Sequence, residues 1–574
     1  MTEPAKPADP APHRHFIHDI IDADIASGKW GTPGDRTVVT TRFPPEPNGF
    51  LHVGHAKSIA LNAGLAREYG GRFILRFDDT NPAKEEQAFV DSITEDIKWL
   101  VGDFDGEPRF ASDYFGQMHD YAVELIDKGL AYVDEQEPEA IKAQRGVAGK
   151  PGEASPFRDR PAEESRAQFE RMVRGDVPTG GMVLRARIDM ASPNFNLRDP
   201  VMYRVVNTPH HRTAARWHVY PMYDWAHGIE DSIEGVTHSL CTLEFENHRP
   251  LYDWFINAIN KDRPEKIHHS QQIEFSKLRP SFTVMGKRHM RKLVEDGHVE
   301  GWDDPRMPTV SGLRRRGFTS ASIRAYCEAA GVTKYEGTTD PGRLDNAIRE
   351  ELNPTAARRM AVLRPIKVVI ESWPEGEVDW LDAVNNPESE AGGTRQVPFG
   401  RELFIERDDF MEVPVKGFRR LAPGKEVRLR YGYWITCTEV IKDDAGNVVE
   451  LRCTHDPETR GGDSPPPDAE GKVRKVKGTL HWVSCEHTIE REVRLYDRLF
   501  SAEKPGSETG EMIDDLNPGS IEVIADAKLE PALAEAQPGE RVQFERLGYF
   551  FVDPKSGAFN RTATLKDSWK PPKA

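Results

Sequence analysis

The sequence predicts an α/β fold in its first half and β-barrels in its second. Three observations carry this. A strand–turn–helix–strand unit runs from Thr37 to Asp79, the pattern changes after Ser112 as an insertion would, and beyond residue 356 short strands alternate with Gly/Pro turns.

Thr37-Val38-Val39-Thr40-Thr41-Arg42-Phe43 is β-branched and aromatic, which makes it the first strand. Pro44-Pro45-Glu46-Pro47-Asn48-Gly49 is turn chemistry. A helix over Ala56–Tyr69 follows from the spacing of Ile59, Leu61, Ala63, Leu65 and Ala66, and Gly70-Gly71 ends it. Arg72–Phe77 is a second strand ending in Asp78-Asp79, and a further helix spans Glu85–Leu100. From Ser112 to Tyr220 come a helix over Met118–Leu130, a Gly/Pro-rich stretch from Gly146 to Pro161 and strand pieces such as Met182–Ile188. Tyr220-Pro221-Met222-Tyr223-Asp224 re-enters the first domain. Residues 278–355 are mostly helical, with breaks at Gly301, Gly312 and Gly317. In the β-rich half, Val427–Ile435 reads as one strand with Arg428 and Arg430 on one face. Leu480–Val483 and Tyr549–Val552 are further strands.

The chain has 574 residues, 38% hydrophobic and 30% charged, enough for roughly three to five domains. No run of eighteen apolar residues occurs, so no membrane span is expected. Residues 1–14 lack a signal-peptide core and read as a disordered tail. Five scattered cysteines form no CxxC pair. They predict reducing cytoplasm, no disulfide framework and no structural metal. A net charge of −17 argues against a non-specific nucleic-acid coat. It conceals a basic track: Lys416, Arg419, Arg420, Lys425, Arg428 and Arg430 against one acid, Glu426.

His52-Val53-Gly54-His55 follows a strand and opens a helix. The backbone N–H groups and dipole there favour an anion, and Gly54 allows close approach. Taken alone the tetrad fits two ordinary surface histidines equally well; its context favours a nucleotide polyphosphate. When a carboxylate attacks an α-phosphate, negative charge grows on the phosphoryl oxygens and nearby donors stabilise it. Val284-Met285-Gly286-Lys287-Arg288 is the candidate second cationic loop, with Lys287 as its mobile ammonium; alone it reads at least as well as a solvated basic turn, and the two motifs together carry the inference.

PPEPNGFLHVGHAKS, RFDDTNP, YPMYD, THSLCTLEFE, VMGKRHM and GWDDPRMPTVSGLRRRG, in this order, resemble the class I glutaminyl-tRNA synthetase family. The resemblance runs from about residue 15 to the end. It implies an α/β fold: a Rossmann-type catalytic domain (15–111 and 221–277), an inserted acceptor-stem-binding domain (112–220) and a helical connector (278–355). It also implies two C-terminal anticodon-binding β-barrels, a proximal one (356–415 and 493–574) and a distal one (416–492). The implied reaction uses ATP with Mg²⁺ to form glutaminyl-adenylate, then passes the acyl group to the 2′-hydroxyl of the terminal adenosine of tRNA(Gln). A cytoplasmic monomer is expected.

By the same resemblance, His52, His55 and Lys287 are catalytic. Glu46, Pro47, Asn48, His52, Val53, Gly54, His55, Ala56, Lys57 and Ser58 hold ATP, completed by Thr242, Lys277, Leu278, Met285, Gly286 and Lys287. Asp78 accepts the substrate ammonium, and Arg42, Tyr223, Cys241 and Gln272 border glutamine. Neutral Cys241 stands where glutamate enzymes of this branch look cationic, and a neutral pocket rejects a carboxylate by desolvation. Arg42 is cationic and would suit either substrate. Arg358, Arg419, Arg420, Arg428, Arg430, Gln543 and Arg546 match anticodon-reading positions, where guanidinium and amide groups suit unstacked bases.

Three positions depart from the family pattern. Gly286 replaces a serine in the phosphate-closing loop, Lys277 replaces an arginine, and Asn247 stands where an aspartate often meets the acceptor stem. The rivals are a glutamyl-tRNA synthetase, a tRNA-binding protein without catalysis and a cytidylyltransferase-like enzyme. The β-rich C-terminus disfavours the first. The joint presence of His52, His55, Asp78 and Lys287 disfavours the second, and the arginine-bearing barrels the third.

Overall fold

A computed structural model describes residues 14–566, apart from 84, 85, 148, 468, 469 and the side chain of 390. The tail expected over 1–14 lies, except for Arg14, outside the described residues, as does the expected helix start at Glu85. Two compact units form: residues 1–279 with 327–339, and 280–326 with 340–574.

In the first unit, Thr40–Phe43, Arg72–Phe77 and Arg109–Phe110 are adjacent parallel strands. His238–Thr242 and Gln271–Phe275 form a second parallel pair. The Thr237 N–H donates to the Thr40 carbonyl at 3.0 Å, so the second pair extends the first sheet. Parallel strands need crossover helices, and Val53–Glu68 and Tyr223–Glu234 supply two. A Cβ on Gly71 would meet the Val39 carbonyl oxygen at 2.0 Å, which requires glycine where helix returns to strand. Ile17, Ile21, Val39, Leu65, Leu240 and Ile273 form the core beneath.

The insertion is a four-stranded antiparallel sheet of Ala131–Asp134, Val183–Ala186, Val201–Val205 and Val219–Pro221. Helices Phe115–Asp127 and Ala162–Arg174 accompany it. Its core includes Trp225, Ile229, Phe255 and Ile259 from the helices Tyr223–Glu234 and Arg249–Asn260. The insertion therefore shares a core with these two helices.

The second unit holds the helices Lys287–Glu295, Val310–Arg316 and Gly342–Leu352, then two seven-stranded sheets. The expected connector 278–355 is divided, since residues 327–339 group with the first unit.

The barrel borders also need correction. Pro365–Ile370 and Glu402–Glu406, expected in the proximal barrel, pair with each other, with Val448–Asp456 and with Trp482–Ser484 in the distal sheet. The proximal sheet takes Ala357–Arg359 and Ala361–Val362 and resumes at Ile489–Tyr496. The Glu406 carboxylate accepts the N–H groups of Leu363 (2.7 Å) and Arg364 (3.1 Å), which fixes the crossing point between sheets.

Val427–Ile435 is a hairpin, not one strand. Glu426–Leu429 pairs with Trp434–Lys442, and Tyr431 sits at φ 60° in the turn between them. Alternating burial survives on the first arm, where Val427 and Leu429 are buried and Arg428 is partly exposed.

Candidate active site

The two histidines sit where the sequence places them. His52 caps the helix Val53–Glu68 with extended backbone, and its Nδ1 accepts the Gly54 N–H at 3.1 Å. His55 Nδ1 accepts the His52 N–H at 3.2 Å. The rings stack, with centroids 3.8 Å apart and 17° between planes. A neutral imidazole whose Nδ1 accepts carries its proton on Nε2. Burial lowers His52 well below the usual histidine range and His55 to about 4, so both stay neutral near pH 7. The helix start thus presents two Nε2–H donors at its positive end.

Around it, the Asp78 N–H donates to the Pro45 carbonyl at 3.0 Å, tying the turn to the end of the second strand. Glu46 is exposed and bonded to the Asn48 amide, and Pro47 is buried. Three expected nucleotide contacts lie differently. Val53 and Ala56 turn their side chains into the core. The Ala56 N–H is taken by the His52 carbonyl at 3.1 Å. Lys57 is buried, and its ammonium donates to the Ser276 carbonyl at 2.6 Å. The Lys57 side chain thereby ties helix to strand end, because a buried ammonium needs that acceptor. Ser58 lies one turn into the helix, partly exposed.

Asp78 is 8% exposed, and its carboxylate accepts the Thr80 hydroxyl at 2.8 Å. Burial, with the nearby Glu46 and Asp79 carboxylates, raises its pKa to about 6 against the opposing pull of Thr80 and Arg76. A carboxylate short of a cation suits a substrate ammonium.

Tyr223 stacks on His227, centroids 5.0 Å apart, and leans on Phe245 at 5.2 Å. Burial pushes the Tyr223 phenol and the Cys241 thiol up, so both remain neutral. The Cys241 Sγ lies 3.9 Å from the Ile273 carbonyl. The Gln272 amide donates to the Phe245 carbonyl (3.1 Å) and to Glu274 (3.0 Å). Glu244 accepts the Thr242 hydroxyl (2.8 Å) and the Lys277 ammonium (2.9 Å), which joins two expected nucleotide contacts through one exposed acid. Leu278 is fully buried. The backbone carbonyl of exposed Asn247 accepts the amides of Asn194 and Asn196.

Arg42 is 1% exposed and does not stand open as a pocket cation. Its guanidinium meets both oxygens of Asp231 (2.9 and 3.3 Å), the Leu240 carbonyl (2.7 Å), His227 Nε2 (2.9 Å) and Ser239 Oγ (2.8 Å). Its charge is answered inside the protein, so the pocket is closer to neutral than the sequence suggested. Arg76 is likewise buried among Glu230 (2.9 Å), Asp231 (2.8 Å) and Glu234 (2.6 Å). Sequence reading missed these acids. Their signal was present: Tyr223, His227, Glu230, Asp231 and Glu234 recur along one side of a helix.

Asp79, His210 and His211 lie close together. His210 Nε2 donates to the Asp79 carbonyl (2.7 Å), and its Nδ1 accepts the N–H groups of Arg212 and Thr213. With no lone pair left, His210 acts as a brace beside Asp78.

In the second unit, Met285 is partly exposed, Gly286 caps the helix Lys287–Glu295, and Lys287 is its first residue. The arginine set divides. Asp409, 1% exposed, grips Arg420 (2.6 Å) and Arg546 (2.5 and 2.7 Å) together. Glu545 holds Arg430 and accepts the Tyr431 hydroxyl at 2.9 Å. Arg428 lies over the Trp434 ring at 5.7 Å, and Arg419 is exposed. Arg358 differs from the others in burial. It is buried, donates to the Ala356 and Asn353 carbonyls, and is in register with buried Gln543.

A parallel sheet with a histidine pair at a helix start and a carboxylate at the adjoining strand end suits an enzyme that activates its substrate with a nucleotide. Residues 38–354 match the catalytic domain of the tRNA synthetases class I (E and Q), and residues 356–456 and 479–553 match its anti-codon binding domains. The chain is 53% identical to the glutamine–tRNA ligase of Rhodopirellula baltica, over 99% of this chain and 92% of that one. It is 53% identical to that of Nitrobacter winogradskyi (97% of each chain). The identity with that of Pseudomonas putida is 52% (98% and 97%). The chain belongs to the class I tRNA synthetases for glutamate and glutamine.

Proposed function

We infer that this chain joins L-glutamine to tRNA(Gln) with cleavage of ATP. The observation that carries this reading is identity above half, along nearly the whole chain, with glutamine–tRNA ligases. In the first step a glutamine carboxylate oxygen bonds to the α-phosphorus as the bond to the bridging oxygen breaks and pyrophosphate leaves. In the second, the 2′-hydroxyl of the terminal adenosine attacks the carbonyl carbon and AMP leaves.

The Nε2–H groups of His52 and His55 donate to the phosphoryl oxygens as charge builds there. Lys287 is the expected second cation, in the loop with Met285 and Gly286. Mg²⁺ arrives with ATP, carried by the phosphates. Asp78 receives the α-ammonium, and Tyr223, Cys241 and Gln272 border the side-chain amide. Satisfied Arg42 supports preference for an amide, because a glutamate carboxylate would find no open cation and burying it unpaired costs several kcal/mol. Arg419, Arg420, Arg428, Arg430 and Arg546 are the side chains offered to the anticodon, with Arg358 and Gln543 in register beside each other on the proximal sheet.

Among the described residues no helix is long and apolar enough to cross a membrane. We assign the enzyme to the cytoplasm, acting as a monomer. The deciding experiment is charging of tRNA(Gln) with glutamine and, separately, glutamate at saturating ATP and Mg²⁺. Glutamine charging alone is expected. Strong glutamate charging would move the enzyme to the glutamyl branch, and tRNA binding without charging would make it a binder only.

A further inference from the structure

Cys437 and Cys453 face each other across the two long strands of the distal sheet, Trp434–Lys442 and Val448–Asp456. In a strand, a residue's N–H and C=O point to the same side. The Cys437 N–H donates to the Lys425 carbonyl (3.4 Å), and its carbonyl accepts the Gly424 N–H (2.8 Å). The Cys453 carbonyl accepts the Glu371 N–H (2.8 Å) from the opposite neighbour. Each backbone is therefore turned away from the other, and the two residues form a non-hydrogen-bonded antiparallel pair. That class brings Cα atoms to about 4.5 Å with side chains on one face at their closest. A disulfide needs Cα atoms about 4.4–6.8 Å apart. Both side chains are fully buried in the same barrel core. The irregularity in the ladder begins after Cys437, so it leaves this pair in register.

We propose that Cys437 and Cys453 are a thiol–disulfide modification site, a two-electron couple that clips the strands of the distal barrel together. The oxidant is a small disulfide or a peroxide. Two S–H bonds are lost and one S–S bond forms. Two electrons and two protons pass to the oxidant, giving two thiols from a disulfide or two waters from hydrogen peroxide. Cys241, Cys327 and Cys485 have no such partner in register and stay reduced. Because both sulfurs are buried, oxidation proceeds through local opening of the hairpin or before the barrel closes. The bridge closes a loop that includes the turn Asp443–Asn447, which restricts the unfolded chain and stabilises the barrel.

The test uses the full chain, both native and refolded from urea, equilibrated with oxidised glutathione. Remaining thiols are then alkylated under denaturing conditions and the peptides are mapped. The expected result is loss of two of the five thiols, a Cys437–Cys453 cross-link, a Tm raised by a few degrees, and reversal by dithiothreitol. Cys437→Ser and Cys453→Ser should each keep all four remaining thiols. Five reactive thiols in both preparations, a cross-link to any other cysteine, or thiol loss persisting in Cys437→Ser would overturn the proposal.

Discussion

Arg42 and Asp231 form a two-pronged ion pair with neither side chain more than 1% exposed, Nε to Oδ1 at 2.9 Å and Nη2 to Oδ2 at 3.3 Å. Asp231 also meets Arg76 at 2.8 Å, so one carboxylate answers two buried cations. The two arginines hold its pKa well below the carboxylate range despite burial. Asp231→Asn takes from Arg42 its carboxylate partner, while Arg76 keeps Glu234 at 2.6 Å, and is expected to cost about 3–5 kcal/mol in denaturant unfolding. Burial raises Glu230 above the usual carboxylate range, and Glu230→Gln leaves Arg76 with Asp231 and Glu234, so it should cost much less. Equal losses in the two variants would mean that Asp231 is not the keystone. The sign with pH follows: a depressed Asp231 pKa contributes stability above the unfolded value near 3.9, and this is lost only as pH falls towards the lower folded value.

Substrate binding should respond to a different group. Asp78, raised to about 6, binds an ammonium only when ionised. The KM for glutamine is expected to rise about tenfold per pH unit below 6 and to level off above it. His55 titrates near 4 and His52 lower than usual, so neither contributes an acid limb between pH 5 and 8. Replacing His55 by alanine should lower adenylate formation about 100- to 1000-fold, as loss of one preorganised donor does, and leave tRNA affinity unchanged. A glutamine KM flat across pH 5–7 would remove Asp78 from its assigned place.

Reading forward from the residues worked best where a single short segment carries the message. Turn, histidine tetrad and following strand are contiguous, and Arg72–Phe77 appears within its expected limits. It failed where the answer lies between distant residues. Lys57 sits beside the tetrad in sequence, yet its partner is Ser276. Arg42 reads as a pocket cation until Asp231, on a helix far along the chain, is placed against it. The hairpin at Arg430–Tyr433 was hidden because period-2 burial looks alike on one strand and on two arms meeting at a tight turn. Arg358 matches an anticodon-reading position by resemblance, and sequence alone does not show which carbonyls its guanidinium reaches.

Asp409 offers a separable test of the tRNA-facing half. It holds Arg420 and Arg546 side by side, and loss of its charge releases both. Asp409→Asn should raise the tRNA KM about tenfold, equivalent to ~1.4 kcal/mol, with the glutamine KM little altered. Arg428→Ala should act in the same direction from a different strand. Filter binding of tRNA(Gln) and steady-state charging check both, and a change confined to glutamine terms would remove these arginines from the anticodon set.

Gly286 departs from the family serine by a change that is chemically small and structurally testable. It caps the helix Lys287–Glu295 with φ −67° and ψ 127°, a conformation open to any residue, so glycine is not required by the backbone. An added Cβ would come within 3.3 Å of His289 Nδ1, and His289 is exposed and free to swing away. Serine at a helix start gains only a few tenths of a kcal/mol over glycine, so Gly286→Ser should leave the unfolding midpoint within about a degree. Its effect belongs to the loop: a hydroxyl donor and a stiffer backbone beside Lys287 should speed ATP–pyrophosphate exchange several-fold with tRNA present. Lys287→Ala should depress the same exchange far more than tRNA binding. If Gly286→Ser slows exchange while Lys287→Ala leaves it intact, this loop does not close on the phosphates, and the donors at His52 and His55 must act without it.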